Sequence, residues 1–168
     1  MLGREENWFQ RNRGFILGFA IAVVVLNIVF AVLLPSEKAV SFAGTPMEYA
    51  LEDDTFETTR SVRLDGTLTS RAFRPTEFDG TLDVDGRMWA LHGVHENGAW
   101  KMALDPQTNA GAQSTFRLKA VSGDRDMNTV VLCVESLPGE THYISLYAST
   151  RAAALRNYQD YMMVNTDK

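Results

Sequence analysis

The chain has 168 residues, 45% hydrophobic and 22% charged, with a formal charge of −5 and one cysteine. That is one ordinary domain with an appendage, long enough to bury a core without disulfide staples. After residue 34, thirteen Lys and Arg face nineteen Asp and Glu, a formal charge of −6, which argues against nucleic acid or anionic lipid as a partner because both need a basic face.

The appendage comes first. Residues 15–34, FILGFAIAVVVLNIVFAVLL, are twenty positions without a charge, and Asn27 is the only strongly polar one. At about 1.5 Å per residue such a helix is about 30 Å long, the thickness of a bilayer's hydrocarbon core. It lacks the polar stripe of a soluble core helix. A cleavable signal peptide has a shorter apolar run and a small-x-small site. Here Pro35-Ser36-Glu37-Lys38 follows directly, and Ser41-Phe42-Ala43 matches such a site poorly. Residues 15–34 therefore read as an uncleaved single-pass anchor. Arg4, Arg11 and Arg13 precede it, and Lys38 is the only nearby cation after it. Cations stay on the cytoplasmic side, so residues 1–14 are expected inside and the remainder outside the cell membrane.

Residues 35–60 read as a stalk or irregular lead-in, interrupted by Pro35, Gly44 and Pro46 and carrying the acidic run EDDTFETT. Residues 61–168 then form the extracytoplasmic β-rich domain. From Ser61 the period is two, with Val62, Leu64 and Leu68 alternating with Arg63, Asp65 and Thr67. The pattern breaks at Pro75, where Arg71 and Arg74 read as solvated loop cations. Asp85-Gly86 and Asn97-Gly98 are pairs suited to two-residue turns that need positive φ at both centres. Together they predict three strands sharing one apolar face, made of Leu82, Val84, Trp89, Leu91, Trp100, Met102 and Leu104. Residues 105–113 read as a loop. A strand follows with Phe116, Leu118 and Ala120 inward. In MNTVVLCVES both faces are apolar, which predicts a central strand covered on both sides and a buried, unreactive Cys133. Pro138-Gly139 suits a type II turn. In THYISLYAS, Ile144, Leu146 and Ala148 take one face and Tyr143 and Tyr147 the other. Leu155, Tyr158 and Met162 then recur at helical spacing behind Ser149 or Thr150 as cap, predicting a carboxy-terminal helix that covers the sheet.

Few residues suggest chemistry. FDGTLDVDG mimics a calcium loop, but with Gly86 as the invariant glycine the first and last ligand positions fall on Thr81 and His92, so no calcium site is expected. His92 and His95 sit three apart on a strand and point to opposite faces, unlike the helical H-E-x-x-H zinc pattern. His142 is the third histidine. No nucleophile motif or phosphate loop is present. The candidate site residues are therefore His92, His95 and His142, together with Tyr143 and Tyr147 as an aromatic pair for exposure or helix contact. No catalytic, cofactor or metal site is assigned. DGTL at 65–68 recurs at 79–82, too short to establish a repeat.

Two segments, SVRLDGTLTSRAFRPTEFDGTLDVDG and ISLYASTRAAALRNYQDYM, together with the amino-terminal anchor, resemble uncharacterised membrane-anchored extracytoplasmic proteins of Gram-positive bacteria. The resemblance implies a bacterial surface location and brings no activity and no site residues.

The expected fold is mainly β (α+β): a transmembrane helix, then an antiparallel meander or sandwich of about seven strands with a carboxy-terminal helix. The expected role is non-enzymatic, a surface module whose partners are the membrane, through residues 15–34, and another protein or an envelope ligand. The alternatives are a cell-envelope hydrolase using one of the histidines as base, and a small subunit of a membrane complex joined through Asn27.

Overall fold

The computed structural model describes residues 12–107, 116–136 and 139–162. The predicted cytoplasmic tail up to Arg11, residues 108–113 of the predicted loop, and Pro138 of the predicted turn lie outside them. Helix α1 (Arg13–Leu33) has 21 residues. It is long and apolar enough to cross a membrane, and none of Arg13–Phe30 is buried. A core helix of a soluble protein would be mostly buried. Asn27 Nδ2 donates to its own helix at Val23 O, 2.7 Å away, so its amide has a partner without a second helix.

The described residues of the β domain form two antiparallel sheets of five strands each. The first has the order β1 (Ser36–Gly44), β4 (Val62–Ser70), β5 (Thr76–Val84), β6 (Arg87–Glu96), β7 (Ala99–Gln107). The second has the order β3 (Glu57–Thr59), β2 (Met47–Ala50), β10 (Thr141–Ser145), β9 (Val130–Ser136), β8 (Phe116–Gly123). Both contribute to one core, with Val62, Leu64, Phe78, Leu82, Trp89 and Trp100 from the first and Phe116, Leu118, Leu132, Val134 and Ile144 from the second.

The predicted β5–β6–β7 meander is present with its predicted register. Leu82 pairs with Trp89 and His95 with Trp100. Asp85 and Gly86 have φ of 51° and 80°, and Asn97 and Gly98 have 53° and 82°, the left-handed pair that a type I′ turn requires. The recurring DGTL also has a role. In the antiparallel β4–β5 pair it sets Gly66 opposite Gly80. A Cβ at Gly66 would lie 2.5 Å from the Phe78 ring, and one at Gly80 would lie 2.8 Å from it. The two glycines make room for the fully buried Phe78, so what resembles a repeat is a cross-strand recess for one ring.

Among the described residues ten strands replace the expected seven or so, and the three extra ones occupy the predicted stalk. Segment 36–60 was illegible for a physical reason. β1 is an edge strand with only Val40 buried and Phe42 partly so, and β3 is fully exposed. Such strands are held by backbone pairing, so their side chains carry no period. β2 is buried, but the face that carries Ala50 also carries Glu48, which reads as surface. A second correction concerns β8. A register shift between Leu118 and Ala120 flips the alternation, so Val121 enters the core in place of Ala120.

The doubly apolar strand has its two faces as expected, but Cys133, expected to be buried, is only half-buried. Val130, Leu132 and Val134 are in the core, while Val131 and half-buried Cys133 face the other way. Helix α2 (Arg151–Tyr161) lies over that second face, packing on β10, β9, β2 and β8. Thr150 caps it by accepting from Ala153 N at 3.3 Å. Arg151 donates to the carbonyls of Ala50, Asp53 and Phe56, which clamps the β2–β3 loop to the helix.

Candidate functional site

The core-facing side of the second sheet contains a buried polar group. Because Ala50 pairs with His142 and Glu48 with Ile144, Glu48 and His142 are diagonal neighbours on one face. Their side chains are 0% and 6% exposed. A buried carboxylate needs a charge partner and filled acceptors. Glu48 receives Arg60 Nε and, at 3.3 Å, Arg60 Nη2, and its Oε1 lies 2.8 Å from His142 Nδ1. Arg60 leaves β3 and reaches across the sandwich to Asp85 Oδ2 at 2.9 Å. Its guanidinium also covers the Phe116 ring at 4.7 Å. The Asp85-Gly86 turn is therefore docked as well as formed: Asp85 Oδ1 accepts from Ser61 N at 3.0 Å.

His142 forms one wall of a cleft of about 420 Å³ lined by Leu51, Asp53, Phe56, Glu140 and Tyr143. Phe56 lies against the imidazole, with ring centroids 4.3 Å apart. Glu140 Oε2 is 3.6 Å from His142 Nε2. The imidazole is thus bracketed by a buried carboxylate on one nitrogen and a solvent-exposed one on the other. Glu48, Phe56 and Arg60, which complete this group, have almost no signature in the sequence. The only available hint was a carboxylate between apolar residues in MEYA.

The other candidates are dispersed. His92 is on the outer face of β6, ion-paired with Asp79; that hydrogen bond raises its pKa above the ordinary value. His95 lies on the inner side against Trp100, with centroids 5.2 Å apart, and burial lowers its pKa. The opposite faces expected for these two histidines are present. Among the described residues no group of three or more His, Cys, Asp or Glu is placed to hold a metal.

The two tyrosines expected on one face separate, because the strand ends at Ser145. Tyr143 lies under α2, 4.5 Å centroid to centroid from Tyr158. Tyr147 packs on Phe42 at 4.9 Å. Beneath α2, Tyr49 Oη donates to Ala154 O at 3.0 Å. Burial pushes up the Tyr49 and Tyr143 phenols and the Cys133 thiol, so this layer stays neutral and serves packing. Comparison with protein-family models, curated proteins and solved structures returns no match, so site and fold rest on the chain's own residues.

Proposed function

We propose that this chain is a single-pass, membrane-tethered binding module. In this reading residues 15–34 cross the bilayer with the amino terminus in the cytoplasm. The β sandwich stands outside and takes an envelope ligand or partner segment in the cleft at His142. The observation that carries the binding role is the bracing of His142. A general base must reach a nucleophile or a water-activating position with a free nitrogen. Here Nδ1 is engaged by Glu48, Nε2 has the exposed Glu140 carboxylate 3.6 Å away without a hydrogen bond, and no Ser, Thr or Cys among the described residues is hydrogen-bonded to the ring, so no nucleophile is set against it. An apolar wall at Leu51 and Phe56 beside carboxylates at Asp53 and Glu140 favours a ligand with an apolar body and a donor or cationic group. Orientation is supported by the cations that precede the helix.

Two experiments test this. In protoplasts, external protease should remove a carboxy-terminal epitope tag; a tag that survives until the membrane is permeabilised would overturn the orientation. A photoreactive residue at Leu51 of the full chain should give a discrete adduct in envelope preparations that disappears in Phe56→Ala. An adduct indifferent to Phe56, or none, would remove the cleft from the proposal. One geometry favours a second reading, an envelope hydrolase: a carboxylate 2.8 Å from an imidazole is the orienting half of an acid–base pair. Envelope-degrading activity abolished by His142→Gln would select it.

A further inference from the structure

We propose that the β4–β5 turn, Arg71-Ala72-Phe73-Arg74, is a second membrane contact. Phe73 enters the interfacial layer of the bilayer that holds α1, and Arg71 and Arg74 engage lipid phosphates. This rests on the anchoring in the proposed function. Phe73 is 97% exposed, whereas the other exposed large hydrophobics described after residue 35 are Leu51, Met88 and Tyr147, at 39%, 37% and 43%. A single exposed apolar side chain is ordinary on a protein surface. Three further features set this one apart.

The first is backbone. Phe73 has φ of 61°, a left-handed conformation that glycine or asparagine adopts easily and a bulky residue rarely does. The turn spends that strain on holding a phenyl ring away from the domain. The second is charge. Arg71 and Arg74 are both exposed. Neither has a hydrogen bond or ion pair among the described residues, and neither is among those with further interactions. The domain as a whole is acidic and unsuited to an anionic surface, but the tip is a local exception. The carboxylates of Glu37 and Glu77 lie one row back, both opposite Thr69. Arg125 adds a third guanidinium at this end by donating to Thr76 Oγ1 at 3.3 Å. An aromatic ring bracketed by cations suits the headgroup layer, where the ring has an apolar neighbour and guanidinium groups can take phosphates bidentately.

The third feature is position along the chain. Only Leu34 and Pro35 separate α1 from Ser36, and Ser36 pairs with Ser70, the last residue of β4. At about 3.3–3.6 Å per residue, Ser36 is within about 11 Å of the helix end. The headgroup zone on each side of the hydrocarbon core is about 5–8 Å deep. The turn that begins at Arg71 therefore springs from a residue that cannot be far above the bilayer. A ring and two cations there form a foot beside the tether. Asp85, the partner of Arg60, is at the far end of β5 from this turn.

The test uses the full chain with Cys133→Ala, reconstituted into phosphatidylcholine vesicles containing phosphatidylglycerol. An environment-sensitive NBD label is placed at Ala72→Cys, with Phe73 intact, or at Met88→Cys, which is exposed near the far turn. We expect the label at 72 to be blue-shifted and quenched by a lipid carrying a shallow doxyl group, and the label at 88 to be neither. Phe73→Ser should abolish the shift at 72, and omitting phosphatidylglycerol should weaken it. If the protein floats with the vesicles but 72 reads like 88, the foot is overturned while the anchor stands. If the protein does not float, the anchor fails and the foot with it. Inorganic phosphate added to the detergent-solubilised chain should leave the label at 72 unchanged; a shift there would assign the arginines to a soluble anion and overturn the proposal.

Discussion

Replacing Glu48 by alanine should be among the most damaging single changes to the domain. The carboxylate is wholly buried, holds Arg60 by two hydrogen bonds and sits 2.8 Å from His142 Nδ1. Alanine leaves a guanidinium without its main counter-charge, an imidazole N–H without an acceptor, and a void. Breaking one side of a buried ion pair costs about 3–5 kcal/mol. Arg60 keeps Asp85 and its side chain is 19% exposed, so the expected loss is near the lower end, about 3 kcal/mol. Glu48→Gln keeps the shape and one acceptor and should cost about 1–2 kcal/mol. The assay is urea unfolding of the full chain in detergent, followed by the fluorescence of Trp89 and Trp100, both in the core. With an m-value of about 2 kcal/mol/M, the alanine variant should move the midpoint down by about 1.5 M. A midpoint within about 0.3 M of the parent at unchanged m would refute the view that Glu48 is a buried anchor for Arg60 and His142. In a double-mutant cycle Arg60→Ala and Glu48→Ala should be non-additive, the double variant losing less than the sum of the singles by about 1 kcal/mol or more.

Three more outcomes are expected. Gly80→Ala should destabilise by about 1–3 kcal/mol, although Gly→Ala in open backbone often stabilises, because its Cβ would meet Asp65 O at 2.5 Å and the Phe78 ring at 2.8 Å; the same urea assay reads it, and a neutral result would contradict the recess. In an NMR titration His92 should have a midpoint above, and His95 one below, the ordinary histidine value near 6.5, with Asp79→Asn lowering the first. His92 then adds stability that is present at low pH and lost as pH rises through its folded midpoint, whereas the contribution of His95 is present above the ordinary value and lost as pH falls towards its folded one; identical midpoints would refute both environments. Cys133, half-buried with its thiol pKa raised by burial, should alkylate slowly in the native chain and fast in denaturant; equal rates would show that α2 does not cover it.

Much of the central sheet was legible because its signals are local. Asp85-Gly86 and Asn97-Gly98 specify turns by their own φ preferences, and the turns fix the parity of Trp89, Leu91 and Trp100 between them. The apolar run and the two-faced strand around Leu132 were equally plain. β1 and β3 were hidden because an edge strand needs only a backbone partner. Tyr147 was misplaced because alternation was extended past Ser145, where the chain leaves the sheet. Of the cleft, His142 and Tyr143 are legible as candidates, but Glu48, Phe56 and Arg60 around them are not.

The sequence by itself determined the apolar helix, the hairpins, the shared face and the covering helix. Each follows from side-chain period, turn geometry or length, and each is decided within a few neighbouring residues. Only the tertiary structure decided that Glu48 is buried, that it meets Arg60 twelve residues on and His142 94 residues on, and that Phe56 closes the cleft. A carboxylate tolerates burial only where distant segments deliver its partners, and that delivery is a property of the closed sandwich and has no trace in local pattern.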